Sequence, residues 1–260
     1  MTATIPLARP WRAKPILLNF CLAAIDKACA GAVRFVQVGA HDGSLADPIR
    51  DYATSGWRGI MIEPHPVYFA ELNALHGARS ALTLVNCAVS DIEASFDLYH
   101  LAESQRVQFP DWARGCASMS RARLEEVLSG RRLDEQRVDP DRDIAAVRVA
   151  ARRLDTILAE AGAETADFLI VDVEGWELNV LNSVDLDRLA LRAALIECNG
   201  PDRTQEAEIA ARLKAAGFET FRLRDDLLAL HPERASVPLG DVLTLLGQPH
   251  LAGPDPLTKD

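Results

Sequence analysis

The chain has 260 residues, of which 48% are hydrophobic and 25% charged, and its formal net charge is −10. This is the composition of an ordinary globular protein with enough apolar material for a sizeable core. The negative charge argues against a nucleic-acid partner, because such a partner requires a basic face that replaces the counterions of the phosphates.

The N-terminal segment predicts an amphipathic helix. Its apolar stretch at 16–25 is too short to span a bilayer and lacks the pattern of a signal peptide. The five cysteines are widely spaced, which predicts free thiols in a reducing compartment. We therefore expect a cytoplasmic protein without a membrane span, and a homo-oligomer is possible if the apolar face of the helix covers a partner.

Strand and helix patterns then alternate along the chain. Predicted strands are 33–39, 57–63, 81–89, 96–100, 145–150, 166–174, 192–199 and two strands within 218–231 around a turn at Asp225-Asp226. Predicted helices are 46–56, 66–77, 154–162 with Asp155 as its cap, 175–183 and 204–217. This order predicts an α/β, Rossmann-like fold with a mostly parallel sheet and a C-terminal antiparallel hairpin at one edge.

The domain organisation follows from where the alternation begins, breaks and ends. We expect an N-terminal helical extension at 1–32, one α/β domain at 33–231 and a C-terminal tail at 232–260. A polar, arginine-rich stretch at about 101–145 breaks the rhythm, and we interpret it as an insertion with one helix. Long insertions in compact domains often form lids or binding loops, so Trp112 is a candidate to line a ligand pocket.

Two glycines follow the first predicted strand. The run Gly39-Ala40-His41-Asp42-Gly43, here called the glycine loop, stands where ligands bind in an open parallel sheet, beyond the carboxyl end of a strand. Glycines there let the backbone approach a ligand closely. An ordinary tight turn is the alternative interpretation of this loop.

An acid at the end of the next strand favours a nucleoside ligand. Glu63 lies about 20 residues past the glycine loop, where α/β domains place a carboxylate that accepts hydrogen bonds from both ribose hydroxyls of an adenosine. A helix-capping or solvated glutamate is the alternative. His41 replaces the second glycine of a dinucleotide loop, and no P-loop is present. S-adenosylmethionine, an adenosine without phosphates, fits this pattern.

Six runs along the chain, taken in order, resemble one known family. They are "FVQVGAHDG" (35–43), "IMIEPHP" (60–66), "NCAVSD" (86–91), "RLDTIL" (153–158), "DFLIVDVEGWELNVL" (167–181) and "ALIECN" (194–199). They are similar to the FkbM-type S-adenosylmethionine-dependent methyltransferases over roughly 33–231, and the D-V-E-G-x-E-x-x-V-L block is the specific part. Ile170 departs from the pattern, because many relatives carry lysine there.

The resemblance implies a seven-stranded methyltransferase fold that methylates a hydroxyl on a small molecule or glycan, such as a sugar or a polyketide. It implies that the glycine loop holds the methionine end of S-adenosylmethionine and that Glu63 holds the ribose. The run 86–91 would lie along the adenine, with Ala88 packing against the ring and Ser90 bonding it.

Three residues are candidates for catalysis. Methyl transfer requires an acceptor oxygen held in line with the methyl group and a base that removes its proton. Asp172 ends the most apolar strand and is also a candidate cofactor contact, and Glu174 follows two residues later, so both can face one site. Capping of the next helix is the alternative for Glu174. His41 is the third candidate, as a base or as a contact to the cofactor carboxylate.

A metal site is an open alternative. Asp172, Glu197 and Asn199 end neighbouring strands and offer the oxygen ligands that Mg²⁺ prefers. A bound cation would lower the pKa of the acceptor hydroxyl. The arrangement resembles the magnesium site of catechol-type O-methyltransferases.

Other functions are weighed against this interpretation. An N-methyltransferase and a cofactor-binding partner subunit without turnover stay open. A nicotinamide-dependent dehydrogenase is disfavoured by the missing third-glycine pattern, and a hydrolase by the absence of a G-x-S-x-G elbow. Nucleic-acid base methylation is disfavoured because the chain is acidic and lacks the N/D-P-P-Y/F motif.

Overall fold

A computed structural model describes residues 10–102, 104–105, 109–130, 139–198 and 203–247. Its strands are β1 (Arg34–Val38), β2 (Arg58–Ile62), β3 (Leu82–Val85), β4 (Ala88–Val89), β5 (Ala94–Leu101), β6 (Ile144–Arg152), β7 (Phe168–Val171), β8 (Ala193–Glu197), β9 (Glu219–Leu223) and β10 (Asp226–Leu230). Its helices are α1 (Pro10–Ala28), α2 (Arg50–Ser55), α3 (Pro66–His76), α4 (Asp111–Arg114), α5 (Arg121–Gly130), α6 (Pro140–Asp143), α7 (Leu154–Glu160), α8 (Glu177–Asn182), α9 (Leu186–Leu189), α10 (Arg203–Ala215) and α11 (Leu239–Gly247). Within these ranges, none of the helices combines the length and apolarity needed to cross a bilayer.

Seven strands form one sheet in the order β3-β2-β1-β7-β8-β10-β9. The first five strands of that order pair in parallel, whereas β10 runs antiparallel to both β8 and β9. The predicted α/β fold, with its mostly parallel sheet and C-terminal hairpin, is therefore confirmed. The chain leaves β1 toward β2 on one side and reaches β7 on the other, which makes the carboxyl ends of β1 and β7 the switch point where ligands bind in such sheets.

Apolar clusters cover both faces of this sheet. Side chains alternate along β1, so that Val36 and Val38 pack in one cluster and Phe35 packs in the other. The apolar face of α1 belongs to the second cluster, where Leu22 and Ile25 are fully buried. The N-terminal helix therefore covers the sheet of its own chain.

A second sheet of three strands, in the order β4-β6-β5, carries the insertion. β5 and β6 pair antiparallel from Ala94–Ala151 to Leu101–Ile144, so the insertion leaves and re-enters the domain at the end of one hairpin. It contains α4, α5 and α6 rather than the single predicted helix, and it has its own apolar core around Phe109 and Leu128. The insertion is thus a packed subdomain.

Three local predictions are wrong. The apolar run predicted as one strand at 81–89 divides into β3 and β4, because the Asn86 side chain turns back to donate to the carbonyl of Glu63. Asp155 does not cap α7, since its carboxylate accepts hydrogen bonds from the guanidinium of Arg153, the N-cap residue. Asp226 is already the first residue of β10. The proline-rich end 251–260 lies outside the described residues.

The glycine loop begins with a close contact between two strands. Gly39 has a φ of +85°, and a Cβ built on it would lie 1.8 Å from the carbonyl oxygen of Asp172. That contact holds the end of β1 directly against the end of β7. A side chain at residue 39 would force the two strand ends apart.

We predict that Gly39→Ala lowers the free energy of unfolding by roughly 4 kcal/mol or abolishes folding, because it combines a left-handed backbone with a clash against backbone. Gly31→Ala is the matched control: Gly31 has a φ of +79° and nothing within 4 Å of its built Cβ. The control should lose only about 1–2 kcal/mol. Equal losses in urea unfolding would contradict the close contact.

Candidate active site

A cavity of about 320 Å³ opens at the carboxyl ends of β1, β2, β7 and β8. This volume lies within the range of small-molecule sites, which is about 300–1,000 Å³. Its lining comes from the glycine loop, the residues after β2, the run 87–89, the insertion and the ends of β7 and β8. The predicted loop, acid and strand ends therefore meet at one place, and Trp112 of the insertion is also in the lining.

The glycine loop is held in shape by its own side chain and by β2. The amides of Gly39 and Ala40 both donate to the carbonyl of Ile62 at 3.0 Å. The Asp42 carboxylate accepts from the amides of Leu45 and Ser44 at 2.8 Å and from the Ser44 hydroxyl at 3.0 Å. Burial acts to raise the pKa of Asp42, but these hydrogen bonds prevail and lower the pKa to about 2. Asp42 thus stabilises the turn as a carboxylate.

Glu63 joins the glycine loop to the residues that follow β2. It is 4% exposed, its Oε2 accepts from the amide of His41 at 2.8 Å, and its Oε1 accepts from the amide of His65 at 2.7 Å. Burial raises the pKa of this carboxyl to about 7. Its burial excludes the solvated alternative, and its contact on the helix side is with the amide of His65, the residue before α3. Each carboxylate oxygen can accept a second hydrogen bond, so the bridge leaves capacity for two ligand hydroxyls.

The run after β3 forms another part of the lining. Cys87, Ala88 and Val89 line the cavity. Ser90 is fully buried, and its hydroxyl donates to Asp91 Oδ1 at 3.1 Å and lies 3.3 Å from Trp176 Nε1, which donates to it. Ala88 is therefore placed for packing against a ring, whereas the Ser90 hydroxyl has two partners within the protein.

His41 connects the glycine loop to the insertion. Its ring lies 4.0 Å from the ring of Tyr68, centroid to centroid, and its Nε2 lies 3.3 Å from the carbonyl oxygen of Arg114. Burial lowers the pKa of His41. Nε2 donates to the Arg114 carbonyl, and Nδ1 faces Asp42 Oδ1 at 3.4 Å.

Four carboxyl side chains form one wall of the cavity, here called the acidic wall: Asp172, Glu174, Glu197 and Asp226. One oxygen each from Asp172, Glu174 and Glu197 lie within 4.8 Å of one another, which is close enough for a shared cation. Burial, with the neighbouring Asp172 and Glu174, raises the pKa of Glu197. Asn199, the third ligand of the predicted metal set, lies outside the described residues, and Glu174 supplies the third oxygen instead.

Glu174 is held by the insertion. Its backbone has a φ of +51°, its carbonyl accepts from the Ser118 hydroxyl at 2.8 Å, and its carboxylate lies 3.7 Å from the guanidinium of Arg123. Capping of α8 stays the alternative interpretation for Glu174. Glu177, the first residue of α8, holds the turn before the helix, because its Oε1 accepts from the amides of Gly175 at 2.9 Å and Val173 at 3.3 Å.

The charged side chains in the cavity lining are predominantly acidic. Six carboxyl groups line the cavity, because Asp47 and Glu63 add to the acidic wall, and among the described residues no lysine or arginine does. Buried carboxylates stabilise a cation and repel a phosphate. The lining thus fits the sulfonium and ammonium groups of S-adenosylmethionine and opposes a pyrophosphate. The nicotinamide alternative loses support on electrostatic grounds as well.

The family model described as "Methyltransferase FkbM domain" matches residues 37–220. The chain belongs to the FkbM methyltransferase family. It is accordingly an S-adenosylmethionine-dependent methyltransferase, and the predicted family and enzyme class are confirmed. No curated protein matches the chain.

Several solved methyltransferase structures are similar to this family member at low identity. Human methyltransferase-like protein 13 in complex with SAH has 13% identity and a TM-score of 0.43, covering 94% of this chain and 96% of that one. The METTL16 methyltransferase domain has 12% identity and a TM-score of 0.44, covering 88% and 68%. Aeropyrum pernix fibrillarin with natively bound S-adenosyl-L-methionine has 15% identity and a TM-score of 0.37, covering 82% and 75%.

Three polar residues of the lining were missed in the sequence. Gln37 lies within the otherwise apolar end of β1, and a polar side chain in such a strand is the signal that could have found it. Asp226 was assigned to a turn, which concealed its position at a strand end. Asp47 fell within the helix predicted at 46–56, whereas α2 begins only at Arg50, so the prediction concealed its position in the loop before the helix.

Glu177 allows a test of the burial of charge beside this site. It is 3% exposed, and burial raises its pKa to about 7. The folded state is favoured while Glu177 is protonated, and this contribution is lost as the pH rises through about 7. Glu177→Gln keeps an Oε1 acceptor for the amides of Val173 and Gly175 and removes the charge.

We predict that Glu177→Gln gains stability relative to the wild type between pH 5 and pH 8, by roughly 1–3 kcal/mol. Urea unfolding at both pH values measures the difference. Glu208→Gln, on the exposed face of α10, is the control and should show no such trend. A Glu177→Gln effect that does not grow with pH would show that this carboxylate is not destabilised by burial.

Proposed function

We propose that this methyltransferase transfers the methyl group of S-adenosylmethionine to a hydroxyl of a small molecule or glycan in the cavity beyond β1, β2, β7 and β8. One observation carries the proposal: the cavity beside the glycine loop is lined by six carboxyl groups, one of them the buried Glu63, and by no lysine or arginine among the described residues. A ligand that is cationic and free of phosphate matches this lining.

In the proposed binding mode, the adenosine lies on the β2 side of the cavity. Glu63 accepts hydrogen bonds from the ribose hydroxyls, in addition to those from the amides of His41 and His65. Cys87 and Ala88 pack against the adenine. The glycine loop lies along the methionine end of the cofactor. Its backbone is held against the end of β2, because the amides of Gly39 and Ala40 donate to the carbonyl of Ile62.

The cofactor supplies a methyl group that its sulfonium already activates. The protein must therefore hold an acceptor hydroxyl in line and accept its proton, and a general base contributes about 10²–10⁴-fold. We assign the base role to Asp172, which lines the cavity at the end of β7. Glu174 positions the acceptor, with its carbonyl held by Ser118 and its carboxylate 3.7 Å from the guanidinium of Arg123.

The lining favours an acceptor that carries several hydroxyl groups. The acidic wall offers oxygen acceptors on one side, and Trp112, Leu98 and Met119 offer apolar surface on the other. A sugar or polyketide presents hydroxyl donors on an apolar frame and matches both. An amine acceptor would match the acidic wall as well, so an N-methyltransferase is the outcome that a substrate screen must separate.

A metal-assisted variant of the same reaction is the second candidate. The three carboxylate oxygens of Asp172, Glu174 and Glu197 that lie within 4.8 Å of one another favour it. These three side chains would hold a divalent cation, which would lower the pKa of the acceptor hydroxyl, so that water could take its proton in place of a protein base.

The acceptor class is tested with labelled S-adenosylmethionine against sugars, polyketides, phenols and amines. We expect transfer to a hydroxyl, which mass spectrometry of the product identifies. Asp172→Asn should lower kcat about 100-fold or more, because it removes the base. Its melting temperature should stay close to that of the control Asp187→Asn, an exposed site on α9. Unchanged kcat, or transfer only to amines, would refute the assignment.

Chelation distinguishes the two candidates. If Asp172 acts as the base, dialysis against EDTA should leave kcat within about twofold, and added Mg²⁺ should not raise it. A loss of 100-fold or more that Mg²⁺ restores would instead establish the metal-assisted reaction.

A further inference from the structure

Two polar side chains lie in the cavity lining beside the glycine loop: Gln37, near the end of β1, and Asp47, just before α2. They contact each other, since Gln37 Nε2 donates to Asp47 Oδ1 at 3.3 Å. The amide of Ile49 donates to the same oxygen at 2.9 Å. Asp47 Oδ1 is therefore used within the protein and fixes the orientation of both side chains.

The remaining polar atom of each side chain, the Gln37 oxygen and the second Asp47 oxygen, has no such partner. Gln37 Oε1 and Asp47 Oδ2 are buried acceptors without a hydrogen bond to any described residue. A buried acceptor without a donor costs about 1–3 kcal/mol, more if it is charged. Two such acceptors on touching side chains in a cavity lining call for a ligand that carries several N–H donors.

The charges around Asp47 indicate which type of donor group the ligand carries. Arg50 acts on Asp47 electrostatically, but it is exposed and is not in the lining. Burial raises the pKa of Asp47 to about 6, so the carboxylate lacks a close cation. A cationic donor would favour the charged form of Asp47 and donate hydrogen bonds to Asp47 Oδ2 and Gln37 Oε1. A ligand carboxylate would be repelled by Asp47.

The topology indicates which part of the cofactor reaches this pair. The sheet order β3-β2-β1-β7 places Glu63, at the end of β2, and Ala88, after β3, on one side of β1. An adenosine bound on that side directs its amino-acid tail toward β1 and β7. Gln37 is on β1, two residues before Gly39, so it lies at the tail end.

We propose that Asp47 Oδ2 and Gln37 Oε1 bind the α-ammonium group at the methionine end of the cofactor. An ammonium has three N–H donors, and these two acceptors take two of them. This assignment rests on the proposed function and deepens it. It makes Asp47 a specificity-determining residue, which separates ligands that carry the amino-acid tail from those that lack it.

Two ligands test the assignment by binding alone. S-adenosylhomocysteine carries the α-ammonium, and 5′-methylthioadenosine carries the same nucleoside without the amino-acid tail. Asp47→Asn keeps an Oδ1 acceptor for Gln37 and Ile49 and replaces the free oxygen by an amide donor. Asp51→Asn, exposed on α2, is the matched control.

In calorimetric titrations, Asp47→Asn should weaken S-adenosylhomocysteine binding at least tenfold and change the binding of 5′-methylthioadenosine less than threefold. The control should change neither. Equal losses for both ligands, or no loss for either, would overturn the ammonium assignment while the proposed function stands. If the wild type binds neither ligand, the proposed function fails together with it.

A second variant keeps the test decisive if Asp47→Asn does not fold. Gln37→Leu has a similar volume, removes the Oε1 acceptor and also removes the Nε2 donor to Asp47 Oδ1, while the amide of Ile49 still holds that oxygen. It should weaken S-adenosylhomocysteine binding about threefold to tenfold and leave 5′-methylthioadenosine binding unchanged. Retained affinity for both ligands would overturn the role of Gln37.

Discussion

One buried carboxylate organises the ligand-binding edge of the sheet. Glu63 accepts the amides of His41 and His65, so the glycine loop and the start of α3 are fixed to the same group. Because burial raises the pKa of Glu63 to about 7, hydrogen-bond donors from a ligand would further stabilise its charged form. The fold therefore maintains, at the switch point of the sheet, a buried carboxylate that lines the cavity.

The same edge concentrates negative charge at a cost to the fold. Buried carboxylates destabilise the folded state unless they are paired or bind a cation. Arg123 and Ser118, both from the insertion, contact Glu174, while the acids at the ends of β7 and β8 face the cavity. The insertion therefore contributes to the cavity lining and also holds the residue that follows β7. Such a concentration of acids is understandable in a protein whose ligand carries positive charge.

The sequence predicted the parts of this structure that have a local signal. The alternation of strand and helix patterns was enough to predict the parallel sheet. The positions of Glu63 and Asp172 at strand ends indicated that both would line one cavity. The break between β3 and β4 was missed because it depends on a hydrogen bond from the Asn86 side chain to the carbonyl of Glu63. The apolar run around Asn86 does not indicate that contact. Asp47 was missed because only the folded chain brings it against Gln37. The roles of the individual site residues stay predictions.

The central claim is that a phosphate-free, cationic nucleoside binds across the ends of β1, β2 and β7. A crystal structure of the complex with S-adenosylhomocysteine tests it most directly. The account predicts ribose hydroxyl oxygens about 3 Å from the Glu63 carboxylate and the nucleoside base beside Ala88. A ligand bound elsewhere, or a ribose that does not contact Glu63, would contradict it.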